Sequence, residues 1–284
     1  MIYAWRLRNQ RNIERVLSLL VTLLIGFFCL APLYWILSTS LKPMGTEYLI
    51  PIELWPKEPT LQAYRAAIFD LDFLIPVRNS FIVSISTAVL CLAVSSLSAY
   101  AVARLRFTYK IESLLLLQLG AMIPPVVTIA PTFILLKSLG LLRTLPAMII
   151  PNVFYSVPLA PWLLASYFVE LPYELEDAAK VDGYRPLQIF WRVILPLASP
   201  GLFAAGVFAF IGSYGEFMLA SVVIMGIPDV WTIPVAIQNF SFQFRNQWTW
   251  VSAGVILALI PVVSLVLIFQ RWVIKGLTAG AVKY

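Results

Sequence analysis

The sequence predicts an all-α membrane protein with six transmembrane helices, and three observations carry that expectation. The 284 residues are 61% hydrophobic and only 12% charged, with a mean hydropathy of +0.88, far more apolar than a water-soluble globule of ordinary composition. Six apolar runs are each long enough to cross a bilayer as a helix. Lysine and arginine favour alternate connections: the N-terminal segment, the links after the second and fourth runs, and the tail together hold 13 of the 20. The positively charged side is the cytoplasmic one, so both termini are expected in the cytoplasm.

Taken in order, residues 1–15 form a cytoplasmic segment carrying Arg6, Arg8, Arg11 and Arg15, and residues 16–284 a six-span domain. The first run, 16–41, exceeds the apolar core of a secretory signal, so it is read as a retained span. A proline-rich, acid-bearing loop, 42–76, follows on the outer side, with one short helix expected near 61–69. Span two, 77–103, carries Ser84, Ser86, Ser95, Ser96, Ser98, Ala99 and Ala101, small enough for close helix contacts, and ends at Arg104, Arg106 and Lys110. Spans three, 113–136, and four, 146–169, are interrupted by Pro124, Pro125 and Pro131, and by Pro151, Pro158 and Pro161. Such prolines kink or unwind a helix, which a membrane tolerates only where neighbours or a watery cavity satisfy the freed backbone. Span five covers 197–225 and span six 248–269, the latter opened by Trp248 and Trp250 and closed by Arg271 and Trp272 as interface anchors.

Between spans four and five the chain changes character. Glu174, Glu176 and Asp177 are followed by Ala178, Ala179 and then Gly183, which reads as a short helix with acids at its positive end and glycine at its stop. Pro186 suits the start of a second helix, whose apolar Leu187, Phe190, Trp191 and Ile194 fall on one face. The stretch is therefore a helix, a bend and an amphipathic helix; a helix lying on the bilayer surface is the alternative.

This spacing resembles the EAA loop of permease subunits in binding-protein-dependent ABC importers: Glu-Ala-Ala, three residues, Gly, nine residues, Ile-x-Leu-Pro. Here it stands as Asp177-Ala178-Ala179, Gly183 and Val193-Ile194-Leu195-Pro196, with Asp replacing Glu and Val replacing Ile. Residues 34–43, 213–220 and above all 270–284 are similar to the maltose-type branch of that family, which imports oligosaccharides and polyols. Tyr214-Gly215 stands where the branch commonly has Trp-Asn. The resemblance implies that residues 170–196 form a cytoplasmic coupling-helix loop seated in a cleft of an ATPase subunit. It assigns Glu174, Glu176, Asp177, Ala178, Ala179, Gly183, Leu195 and Pro196 to that contact, and, within the cytoplasmic tail 271–284, the part after Gly276 to a second one. It further implies a second homologous permease, an ATPase dimer that uses ATP and Mg, and an extracytoplasmic sugar-binding protein that delivers a sugar.

The residues themselves limit the chemistry. No G-x-x-x-x-G-K-[ST] phosphate loop is present, so ATP hydrolysis is expected in another polypeptide and no cofactor in this one. Histidine is absent and Cys29 and Cys91 lie far apart in apolar runs, which argues against a metal site or disulfide framework. The positive net charge of +6 is scattered singly, unlike a nucleic-acid surface. Glu216 is the one acid expected inside a span, facing either a translocation path, a partner or the outer interface. Asn152, Tyr155 and Ser156 beside the break in span four, with Ser213 and Tyr214 before Glu216, either line a sugar path or act as packing contacts between helices. A secondary transporter driven by an ion gradient is the competing function, since two spans are broken, but a single intramembrane carboxylate is a poor proton relay.

Overall fold

The computed structural model describes residues 2–243 and 247–279, with side chains described at 13–240 and 247–270, and among these residues the secondary structure is entirely helical. In order the helices are α1 Ile2–Ser40, α2 Gln62–Arg65, α3 Leu74–Arg104, α4 Lys110–Met122, α5 Pro125–Ser138, α6 Pro146–Ser156 and α7 Ala160–Glu170. They continue with α8 Glu174–Val181, α9 Pro186–Ile189, α10 Leu195–Leu197, α11 Ser199–Tyr214, α12 Ala220–Val223, α13 Ile233–Gln243 and α14 Trp248–Ala279. Ile13–Ser40, Leu74–Arg104 and Trp248–Gln270 are long and apolar enough to cross a membrane alone. Three bent helix pairs are long and apolar enough when each pair is taken together: α4 with α5 at 92°, α6 with α7 at 52°, and Pro186–Leu197 with α11 at 80°.

The prolines explain two of these bends, though not every proline breaks its helix. A residue before proline is pushed off the helical region, and Pro124, preceding Pro125, sits at φ −57°, ψ 129° between α4 and α5. Pro158 lies in the turn between α6 and α7, and Pro161 occupies the first turn of α7, where no donor is needed. Pro131 and Pro151, expected to interrupt their spans, instead lie inside α5 and α6. One proline removes one hydrogen bond, which the rest of the helix outlasts; the adjacent pair leaves no helical conformation for the first.

The chain forms two compact units. The first comprises 1–71 and 240–257. Within it the most apolar stretch of α1 is unburied, and among the described side chains of that helix only its end, Ser38 to Ser40, is enclosed. Ser40 Oγ meets Tyr64 OH at 2.6 Å, Lys42 Nζ lies 4.6 Å from the Trp35 ring centre, and Ala63, Ala66, Trp250 and Ala253 form a small core.

The second unit, 72–239 with 258–284, is built around α3. Ser84, Thr87, Cys91, Ser95 and Ala99 recur at helical spacing, are all fully buried, and let α6, α7 and α11 approach closely. Asn79 Nδ2 donates to the carbonyls of Asp229 and Trp231, and Ser80 Oγ accepts from Ile233 N–H, so the start of α3 also fixes the loop before α13. Gly201 of α11 presses on Tyr167 of α7; a β-carbon there would stand 2.6 Å from the ring. Gly201→Val is therefore expected to destabilise the protein by about 1–3 kcal/mol through overpacking. Gly212→Ala, whose added carbon meets nothing within 4 Å, is expected to be neutral or stabilising. Thermal unfolding of the detergent-solubilised variants measures the contrast.

Candidate functional site

Two places in the second unit gather the residues singled out above. The first is the segment from α8 to α10. Its opening helix stops where glycine is required: Gly183 has φ +82°, its N–H donates to Lys180 O at 3.0 Å, and Tyr184 N–H donates to Ala179 O at 3.0 Å. This double closure is the Schellman stop, and a β-carbon at that φ would strain it.

The eight residues of α8 divide by face. Glu174, Asp177, Ala178 and Val181 are exposed, whereas Glu176 and Ala179, three residues apart, point inward. Asp177 holds Lys180 at 2.7 Å, raising the lysine pKa, but both side chains remain more than half exposed, so the pair contributes little stability. Asp177 is thus free to exchange Lys180 for another cation.

Glu176 has a partner within the chain. Its carboxylate lies 3.2 Å from Arg104 Nε, with the two side chains 8% and 0% exposed. The approach lacks hydrogen-bond alignment, and Arg104 Nη1 is unpartnered, so the contact is an ion pair only. Arg104 Nη2 donates to the carbonyls of Phe168 and Leu171, and the Tyr173 ring covers the guanidinium at 4.3 Å. The sequence offers Glu176 to an outside partner and Arg104 only to topology; the 71 intervening residues carry no local signal of their pairing.

The second helix of the segment also differs from its expected form. A π-turn, Phe190–Ile194, interrupts it, and the extra residue rotates the buried face. Ile189, Phe190 and Ile194 are buried, while Leu187 and Trp191 are turned outward. Phe190 packs 5.1 Å from Tyr100 of α3, within one cluster that also holds Ala103, Phe168 and Ala179. Leu195 is half-buried and Pro196 exposed, at the entry to α11.

The second place is a cavity of about 500 Å³ between α6, α7 and α11. It brings together Asn152, Tyr155, Ser156 and Glu216, with Phe208 and Phe217 among its apolar walls. Ser213 and Tyr214 do not line it: Ser213 donates to Thr87 Oγ1 and Tyr214 OH to Ala258 O, so both serve packing. Tyr155 OH is 2.8 Å from Thr128 Oγ1 on α5, and Asn152 Nδ2 donates to Met148 O of its own helix. Glu216 lies beyond the end of α11, and its two oxygens accept the backbone N–H groups of Leu219 at 2.7 Å and Ala220 at 3.0 Å. Its carboxylate closes a break in the chain while lining the cavity. A mostly apolar chamber with a few polar atoms suits a small solute that carries hydroxyls on an otherwise apolar frame. Of the assigned tail, residues 280–284 and all side chains from 271 onward lie outside the described residues, as do the side chains of Arg6, Arg8 and Arg11.

Comparison with known proteins gives a consistent picture. The model of the family described as binding-protein-dependent transport system inner membrane component matches residues 92–279. The chain is 36% identical over 269 residues to the sulfoquinovosyl glycerol transport system permease protein SmoH of Agrobacterium fabrum, covering 95% of this chain and 93% of that one. It is 38% identical over 268 residues to the trehalose transport system permease protein SugB of Mycobacterium tuberculosis, covering 94% and 96%. Among solved structures, the fold is similar to a chain of a bacterial ABC transporter involved in the import of the acidic polysaccharide alginate, with a TM-score of 0.76 at 22% identity, covering 91% and 96%.

Proposed function

Because the chain belongs to the family of binding-protein-dependent transport system inner membrane components, we propose that it is the permease subunit of an ATP-driven importer that carries a sugar or related polyol. The observation that carries this reading is the two-sided α8. Glu174, Asp177 and Ala178 face outward on a helix stopped by Gly183, while Glu176 and Ala179 hold it to α3 and α7. An ATPase dimer docks on the outward face, which lies on the cytoplasmic side together with both termini. Asp177 pairs there with a basic residue, and Ala178 allows close approach. A second, homologous permease completes the pathway, and an extracytoplasmic binding protein delivers the cargo. ATP and Mg are used by the ATPase. The chamber holding Asn152, Tyr155, Ser156 and Glu216 supplies hydroxyl partners and apolar walls along the path, as a sugar requires. Alternating access follows when the ATPase pair closes and moves the docked helix.

The test is reconstitution of the complex with its ATPase and binding protein. The wild-type chain is expected to retain the ATPase through solubilisation and to show ATP turnover stimulated by binding protein loaded with the transported saccharide. Asp177→Lys is expected to lower uptake by at least about tenfold, since a like charge then faces the ATPase cation. Normal uptake by Asp177→Lys would remove this docking assignment, and uptake driven by an ion gradient without any ATPase would replace the whole reading by a secondary transporter.

A further inference from the structure

We propose that Arg104 is a positioning residue that makes the docking helix α8 and the ends of α3 and α7 move as one body. One side chain joins three chain segments. It grows from the last turn of α3, donates to the carbonyls of Phe168 and Leu171 where α7 ends, and meets the Glu176 carboxylate of α8 at 3.2 Å. Tyr173, in the short link between α7 and α8, closes over the guanidinium. The site is shut off from solvent, with the arginine side chain 0% and the glutamate 8% exposed. Such a pair is weak evidence for stability, because removing two charges from water is costly and apolar residues of like volume hold elements together as well. Nη1 is left without a partner, a further cost. What the guanidinium provides that apolar packing does not is a charge shared by three segments. Its hydrogen bonds to Phe168 and Leu171 tie the end of α7 to α3, and sliding α8 along α3 would leave both the guanidinium and the Glu176 carboxylate buried without a counter-charge. Beside it, Phe190 on Tyr100 and the buried Ala179 resist tilting. A push received on Asp177 and Ala178 is then delivered to the second and fourth spans together rather than absorbed by a flexing loop.

This inference rests on the docking reading above and is tested separately from it. Spin labels at Leu105→Cys and Asp182→Cys, both exposed positions, are introduced with Cys29→Ala and Cys91→Ala, and the assembled complex is measured nucleotide-free and with ATP bound. The expected result is one narrow distance distribution that shifts by less than about 2 Å between states; a shift on the order of a helical turn, ~5 Å, overturns the inference. Glu176→Gln on the same labelled chain is expected to broaden the distribution and to lower uptake per ATP hydrolysed by about tenfold. A purely structural role would reduce the amount of complex, and with it both activities, while leaving their ratio fixed; that outcome also overturns the inference. If Glu176→Gln does not assemble, the distance measurement on the labelled chain decides alone. Failure to bind any ATPase sinks the docking reading, whereas a transporting complex whose two labels part company sinks only this one.

Discussion

Glu216→Ala is expected to cost the folded protein more than it costs cargo recognition. The two carboxylate oxygens accept the N–H groups of Leu219 and Ala220, and both of those residues are buried. Alanine leaves these two buried donors without their acceptor, at about 1–3 kcal/mol for each. Glu216→Gln keeps one carbonyl oxygen but turns an amide NH2 toward the second donor, so an intermediate loss is expected. Thermal unfolding of the solubilised protein, measured beside uptake, separates the two roles. Lower unfolding temperatures in the order wild type, Gln, Ala, with uptake falling in step, mark a chain-closing carboxylate. Unchanged unfolding with lost uptake would assign the carboxylate to the cargo instead.

That ambiguity shows where the sequence stopped being readable. An acid in an apolar run announces itself, but the donors that occupy it are backbone groups three and four residues on, and nothing in Leu219 or Ala220 as residue types marks them. Features set by local steric rules were legible. Pro124-Pro125 forces an extended residue and hence the bend between α4 and α5, and Gly183 supplies the left-handed residue that ends α8. The small residues of α3 were legible in part, since small side chains in a span permit close helix approach whatever the partner: Ser84, Ser95, Ser96 and Ala99 are buried, while Ser86, Ser98 and Ala101 are only half-buried. Features decided by tertiary packing were not. Leu187 and Trp191 fit an inward face at a period of 3.6, yet the π-turn at Phe190–Ile194 adds a residue per turn and carries them outward. Glu174, Glu176 and Asp177 look alike in sequence, and only the position of Arg104 makes the middle one internal.

Arg104→Met is expected to be among the most damaging single substitutions in the chain, and its pairing with Glu176→Met to separate stability from coupling. The single change strands a buried carboxylate and removes the donor from the carbonyls of Phe168 and Leu171, a loss of about 3–5 kcal/mol for breaking the pair alone. Less complex in the membrane and a lower unfolding temperature are the expected readouts. Adding Glu176→Met removes the stranded charge and fills the space with an apolar side chain. Recovery of most of the lost stability is expected, short of complete because the Leu171 carbonyl loses its donor and the Phe168 carbonyl keeps only the Leu171 N–H. If charge were kept at this position for stability alone, uptake per ATP would recover with it. With the buried charge pair gone, however, sliding α8 along α3 no longer strands a charge, and the helix can slip under load. The double variant is therefore expected to fold and hydrolyse ATP while importing several-fold less cargo per ATP than wild type, as measured in proteoliposomes that report both rates together.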